Sequence, residues 1–180
     1  GGEKADIEAA LKQAGEALIL GDIPAARTIF AGLREMEPDH ARACAGLVQC
    51  LVAEGKSADA RVMLEKMPET VVKDKAFDSV RAALELAEAA GKNKGQAEKL
   101  EAVLAQNPAD HQTRFDLALA YYAAGRNEDA VDLLLEIVRR ARTWNDDAAR
   151  KQLVKLFEAF GASHPLTISA RKRLSSILFS

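Results

Sequence analysis

At 180 residues, 48% apolar and 29% charged, the chain has the make-up of one folded domain or one solenoid of small repeats. Alanine and leucine dominate and aromatics reach only 5%, which favours helix throughout, and no apolar run approaches the ~20 residues that span a bilayer. The net charge of −2 is uneven: residues 1–138 carry 16 Lys and Arg against 24 Asp and Glu, and residues 139–180 carry nine against three.

The opening "GGEKADIEAALKQ" is acidic and amphipathic and lacks the form of a secretory signal. It also lacks an initiator methionine, so Gly1-Gly2 reads as a remnant or an excision point, and the chain as a piece of something longer. A first helical pair is expected near residues 7–40, packed through Ala14, Ala26, Phe30 and Leu33. Its turn is "LGDIPAARTIF", with Gly21 five residues before Ala26, and Pro38 in "MEPDH" closes it, leaving Asp39 to cap the next helix. The second pair, near 41–68, repeats the turn as "EGKSADARVML" (Gly55, Ala60) and packs through Leu47, Val48, Leu51, Ala60 and Leu64. Pro68 cuts its second helix short. Cys44 and Cys50 fall about 9 Å apart along the axis of one helix, too far for a disulfide. Without a C-x-x-C pattern they support neither a dithiol centre nor a zinc site, and no metal ligand set or cofactor is expected.

Residues 69–76, within "PETVVKDKA", form a joint between repeat pairs. The third pair, near 77–109, is degenerate: its turn "GKNKGQA" places Gly91 six residues before Ala97. Pro108 in "QNPADH" closes it, with Asp110 as the next cap. The fourth is the best formed, "HQTRFDLALAYYAAGRNEDAVDLLLEIVRR", with Gly125 and Ala130 at the turn. Gly21 to Gly55 and Gly91 to Gly125 are each 34 residues. This spacing resembles the tetratricopeptide repeat (TPR), a helix-turn-helix unit. Glycine suits the turn because positive φ is free of a Cβ clash, and alanine sits where the two helices cross.

Beyond "RARTWNDDAARKQL" the spacing is lost. Two helices remain, "NDDAARKQLVKLFEAFG" and "SHPLTISARKRLSSILF", broken at Gly161 and restarted at Pro165. They form a capping hairpin over residues 143–180, with Trp144 at the junction and Asn145 or Asp146 capping the new helix. The expected fold is an all-α, right-handed solenoid of about four TPR-like hairpins plus this hairpin. It makes a single domain over 1–180, with repeat pairs at 1–68 and 77–142.

No catalytic residue emerges. His40, His111 and His164 all lie in turns beside a proline, and no zincin, nucleophile-elbow, Walker or dinucleotide pattern occurs. The basic set Arg139, Arg140, Arg142, Arg150, Lys151, Lys155 and Arg171–Arg173 is either a solvated face or a surface that steers an acidic partner. The body is acidic and carries no reading motif, so nucleic acid ranks behind protein as a partner. In TPR-like arrays the first helix of each repeat lines a groove, where Phe115, Leu119 and Tyr122 would form an apolar strip. The lysine and asparagine that hold a chaperone tail's carboxylate in some TPR domains are replaced by Leu11, Gly15 and Gly46.

From "DHQTRFDLALAYYAAGRNEDAVDLLLEIVRRARTWNDDAARKQLVKLFEAFG" through "HPLTISARKRLSSILF", the chain resembles the C-terminal region of YbbN-type thioredoxin-like proteins, the chaperedoxins. That resemblance implies a cytoplasmic protein of quality control and stress response. It would bind unfolding clients and the GroEL chaperonin, work also with DnaK, and follow an N-terminal thioredoxin-like domain. It further implies a chaperonin-facing C-terminal helix, with Arg171, Arg173, Leu174, Leu178 and Phe179 on or near the surface. The alternative is a structural module that dimerises or docks on the thioredoxin-like domain.

Overall fold

A computed structural model describes residues 1–180. The chain is all-α, built of helix hairpins, and contains no strand. It divides into two compact units, Gly1–Leu84 and Glu85–Ser180, the boundary falling inside one helix.

Gly1–Leu84 contains α1 (Gly2–Ile19), α2 (Ile23–Met36), α3 (Ala41–Ala53), α4 (Ser57–Lys66), the one-turn α5 (Glu69–Val72) and the first part of α6 (Ala76–Ala90). Each of the first two hairpins turns on a glycine. Gly21 and Gly55 have φ of 81° and 78°, and the amide after each reaches five residues back, Asp22 to Ala17 and Lys56 to Leu51. That bond closes the exposed carbonyls of the finished helix, and it needs a residue that tolerates positive φ. Five residues on, Ala26 and Ala60 are fully buried at the helix crossing. Leu11, Ala14, Phe30, Leu33, Ala43 and Cys50 form one core with Ala26. Gly46 of α3 faces Phe30 so closely that a Cβ there would lie 2.5 Å from three ring atoms.

The cap of α3 corrects the sequence expectation. His40, not Asp39, is the N-cap, its Nδ1 accepting from the Ala43 amide at 3.3 Å. The turn after Pro38 closes with the His40 amide on the Glu37 carbonyl, so Asp39 stands one residue too early.

Glu85–Ser180 holds the rest of α6, a 3₁₀ turn (Gly91–Asn93), α7 (Ala97–Gln106), α8 (His111–Ala123), α9 (Asn127–Arg140), α10 (Trp144–Phe160) and α11 (Pro165–Leu178). Gly125 repeats the turn with φ of 78°, and Ala130 is 1% exposed at the crossing of α8 and α9. The third repeat is resolved differently from its spacing. Gly91 continues the helical path into the 3₁₀ turn, and Gly95 takes the positive φ, 77°. Counted from Gly95, the crossing position is Leu100, whose amide bonds to Gln96 as Ala130 bonds to Arg126. The half-buried Leu100 therefore replaces the expected Ala97, and the turn glycine falls four residues later, after the 3₁₀ turn that follows α6.

Asp110 caps α8 as expected, accepting from the Thr113 amide at 3.0 Å and the Thr113 hydroxyl at 2.7 Å. α10 and α11 both pack on α9. The N-cap of α10 is Thr143, not Asn145 or Asp146, and it makes no side-chain cap bond. Instead Asn145, Asp146 and Asp147 adopt φ of 47°, 55° and 59°, a left-handed turn that Asn and Asp tolerate better than other side chains. Asp146 then pairs with Lys151 at 2.9 Å and Asp147 lies 3.8 Å from Arg150.

Candidate functional site

Residues 139–180 carry nine Lys and Arg against three Asp and Glu, and most of the nine are engaged locally. Arg139 and Arg140 both bind the Glu136 carboxylate, Arg140 at 2.6 Å. The two guanidinium groups hold the Glu136 carboxyl down at about 2. Arg142 donates to the Ile177 carbonyl at 3.0 Å, tying the link to the end of α11. Lys155 pairs with Glu85 at 2.6 Å and Arg173 with Asp132 at 2.5 Å. Arg171 lies over the Phe157 ring, 5.7 Å from its centroid.

α8 places Phe115, Leu119 and Tyr122 half-buried along its length. Phe115 packs against Trp144, ring centroids 5.7 Å apart at 52°, and His111 meets the same indole at 6.1 Å. Phe115 is thus held to the repeat-hairpin junction. Tyr122 lies in apolar surroundings that push its phenol up to about 12, so it is neutral across the physiological range. Tyr121, the next residue back, instead turns to Glu101 with a 2.6 Å hydrogen bond and carries the Arg126 guanidinium on its ring, 4.0 Å from the centroid.

The five C-terminal residues separate by depth. Leu174 is buried, with Thr167 and Ala170, and so serves the packing of α11 and not its surface. Leu178 is half-buried, and Arg171 and Arg173 are exposed. Phe179 is 86% exposed, the most open large apolar side chain of the molecule. Ala170 and Leu174 mark the inner face of α11, so Phe179 and Ile168, with Lys172 among them, lie on what the fold leaves open.

Two features were missed in the sequence. Arg114, in the first turn of α8, is only 5% exposed, its Nη2 donating to the Pro108 carbonyl at 2.7 Å. The repeat register signals it: 70 residues earlier stands Cys44, whose Sγ donates to the Pro38 carbonyl at 3.3 Å. The second is a cleft of about 580 Å³ in Gly1–Leu84, lined by Arg34, Cys44, Leu51, Met63, Met67 and Val71 among others. Cys44 and Cys50 are free thiols whose pKa values burial raises, Cys50 to about 11, so neither is a ready nucleophile. No group of three His, Cys, Asp or Glu is placed to hold a metal ion, and no helix is long and apolar enough to cross a membrane.

Two family profiles, both described as tetratricopeptide repeat, match residues 90–179 and 17–84. The chain belongs to the tetratricopeptide repeat family. With that family's architecture, it is a helical-repeat scaffold of the kind that mediates protein–protein contacts. An uncharacterised protein of Haemophilus influenzae is 28% identical over 128 residues, 71% of this chain, and the chain spans 58% of that protein's length. A crystallised domain of unknown function from Vibrio parahaemolyticus is 26% identical, with 96% of this chain and 99% of that domain covered at a TM-score of 0.46.

Proposed function

We propose that the chain is the helical, partner-binding region of a chaperedoxin-type cytoplasmic protein, acting on unfolded clients and handing them to the GroEL chaperonin, with DnaK as a further partner. The reading rests on the "WNDDAARKQL" resemblance and on one structural observation: Phe179, an apolar side chain at 86% exposure, at the end of a helix that also carries the exposed Arg171, Lys172 and Arg173. Large aromatic side chains and arginines are the residue types that concentrate binding energy at protein interfaces. The half-buried strip of Phe115, Leu119 and Tyr122 is the second surface, assigned to clients. A thioredoxin-like domain upstream would hold any redox chemistry.

A structural role has one observation in its favour. Leu20, at the end of α1, and Met36, at the end of α2, are 83% and 62% exposed, two open apolar side chains that a docked domain or a second copy would cover. Pull-down of purified GroEL separates the two readings. Capture by the full chain, lost in Phe179→Ser, supports the chaperonin reading. No capture by the unaltered chain, with a dimer in light scattering, sinks it in favour of the structural one.

A further inference from the structure

Arg114 occupies a position that the fold fills with a much smaller group elsewhere. Six residues after the closing proline, Cys44 supplies one weak donor to the Pro38 carbonyl, and Arg114 supplies the same bond to Pro108. The charge and the second terminal nitrogen of Arg114 are surplus to that task. Its Nη1 is buried without a hydrogen-bond partner. Arg140 Nη1 reaches the same Pro108 carbonyl at 3.2 Å, so two guanidinium groups converge on one neutral oxygen. The carboxylates near them are already committed. Glu136 is shared by Arg139 and Arg140, and Asp110 caps α8 through both the amide and the hydroxyl of Thr113. Three cations are left with one shared carboxylate, and the most deeply buried of them has no anionic hydrogen-bond partner. A buried charge is stable only when it is paired or fully hydrogen-bonded, so this cluster lacks an anion.

We propose that Arg114, Arg139 and Arg140 form an oxyanion site that takes a phosphate or carboxylate group. The anion enters from the solvent side, where the side chains of Arg139 and Arg140 are exposed. As Arg140 turns from the Pro108 carbonyl to the anion, the Nη1 edge of Arg114 opens to the same oxygens. Planar guanidinium forks suit this bidentate geometry, which lysine does not reproduce. The site lies at the first turn of α8, one residue from Phe115, whose ring packs on Trp144.

Titration calorimetry of the full chain with inorganic pyrophosphate and, separately, with citrate tests this, against chloride at matched ionic strength. Saturable binding is expected, weakened about tenfold or more in Arg114→Cys and in Arg140→Gln. Binding of pyrophosphate alone assigns the site to phosphate, and binding of citrate assigns it to carboxylates. Arg114→Cys keeps the donor that the first unit uses. If that variant fails to fold, Arg140→Gln decides alone, because its side chain lies at the surface. No saturable binding of either probe overturns the proposal. So does binding that is undiminished in the variants, which would mark an adventitious ion only.

Discussion

Gly46→Ala is the sharpest test of how the first repeats pack. Gly46 lies within α3 and is buried against Phe30 of α2, where an added Cβ would meet Cδ1, Cε1 and Cζ at 2.5 Å. Ordinary contact begins at 3.4 Å, so the ring would have to withdraw by roughly 1 Å. Phe30 is 5% exposed and enclosed by Leu11, Ala14, Ala26 and Leu33, which leaves it little room to retreat. Overpacking of a closed core costs about 1–3 kcal/mol, and the upper half of that range applies to a rigid ring. Alanine returns up to about 1 kcal/mol of helix propensity. The net expectation is a loss of about 1–2 kcal/mol in urea unfolding. Gly32→Ala in α2, where nothing lies within 4 Å of the new Cβ, should instead stabilise by about 0.5–1 kcal/mol. Adding Phe30→Leu to Gly46→Ala should cost less than the two single changes together, since the shorter side chain makes way. A Gly46→Ala protein at least as stable as the parent would refute the close approach of α2 and α3.

Two further predictions concern the second unit. Ala130→Leu should destabilise by about 1–3 kcal/mol, because Ala130 is 1% exposed where α8 and α9 cross, and thermal unfolding would register the loss as several degrees. His164 caps α11 with its Nδ1, which accepts from the Leu166 amide at 3.0 Å, so the cap needs a neutral ring. Burial holds its pKa below the ordinary 6.5, and its contribution is therefore complete above 6.5 and lost as pH falls through the lower folded value. The urea midpoint should drop on acidification by more in the parent than in His164→Asn, whose side chain caps without titrating. Equal pH dependence in the two would remove His164 from that role.

Much of the repeat was legible because its signals are local. Gly21, Gly55 and Gly125 adopt the positive φ their turns require, and Ala26, Ala60 and Ala130 are buried five residues later. The third repeat misled because Gly91 and Gly95 lie in one short stretch, and the choice between them depends on how far α6 runs. Nothing in the four residues themselves decides that. The cap at His40 was hidden for a related reason: Asp39 is the stronger capping type, but the proline turn places the next residue at the helix start. At Asn145–Asp147 the residue types suited either a cap or a left-handed turn, and the chain takes the turn. Arg114 would have been visible from the register alone, since a 70-residue offset sets it opposite a buried cysteine. The binding surfaces were the least legible, because exposure of Phe179 and burial of Leu174 follow from how α11 docks on α9.

On the proposed function, α11 presents a partner-binding face that the fold itself does not use. Equilibrium titration of the full chain with purified GroEL measures this directly, using the parent and Phe179→Ser with unchanged far-ultraviolet circular dichroism and melting. Saturable binding by the parent, weakened about tenfold or more by Phe179→Ser, is the predicted result. Equal affinity of the two proteins, or none in the parent, would contradict it.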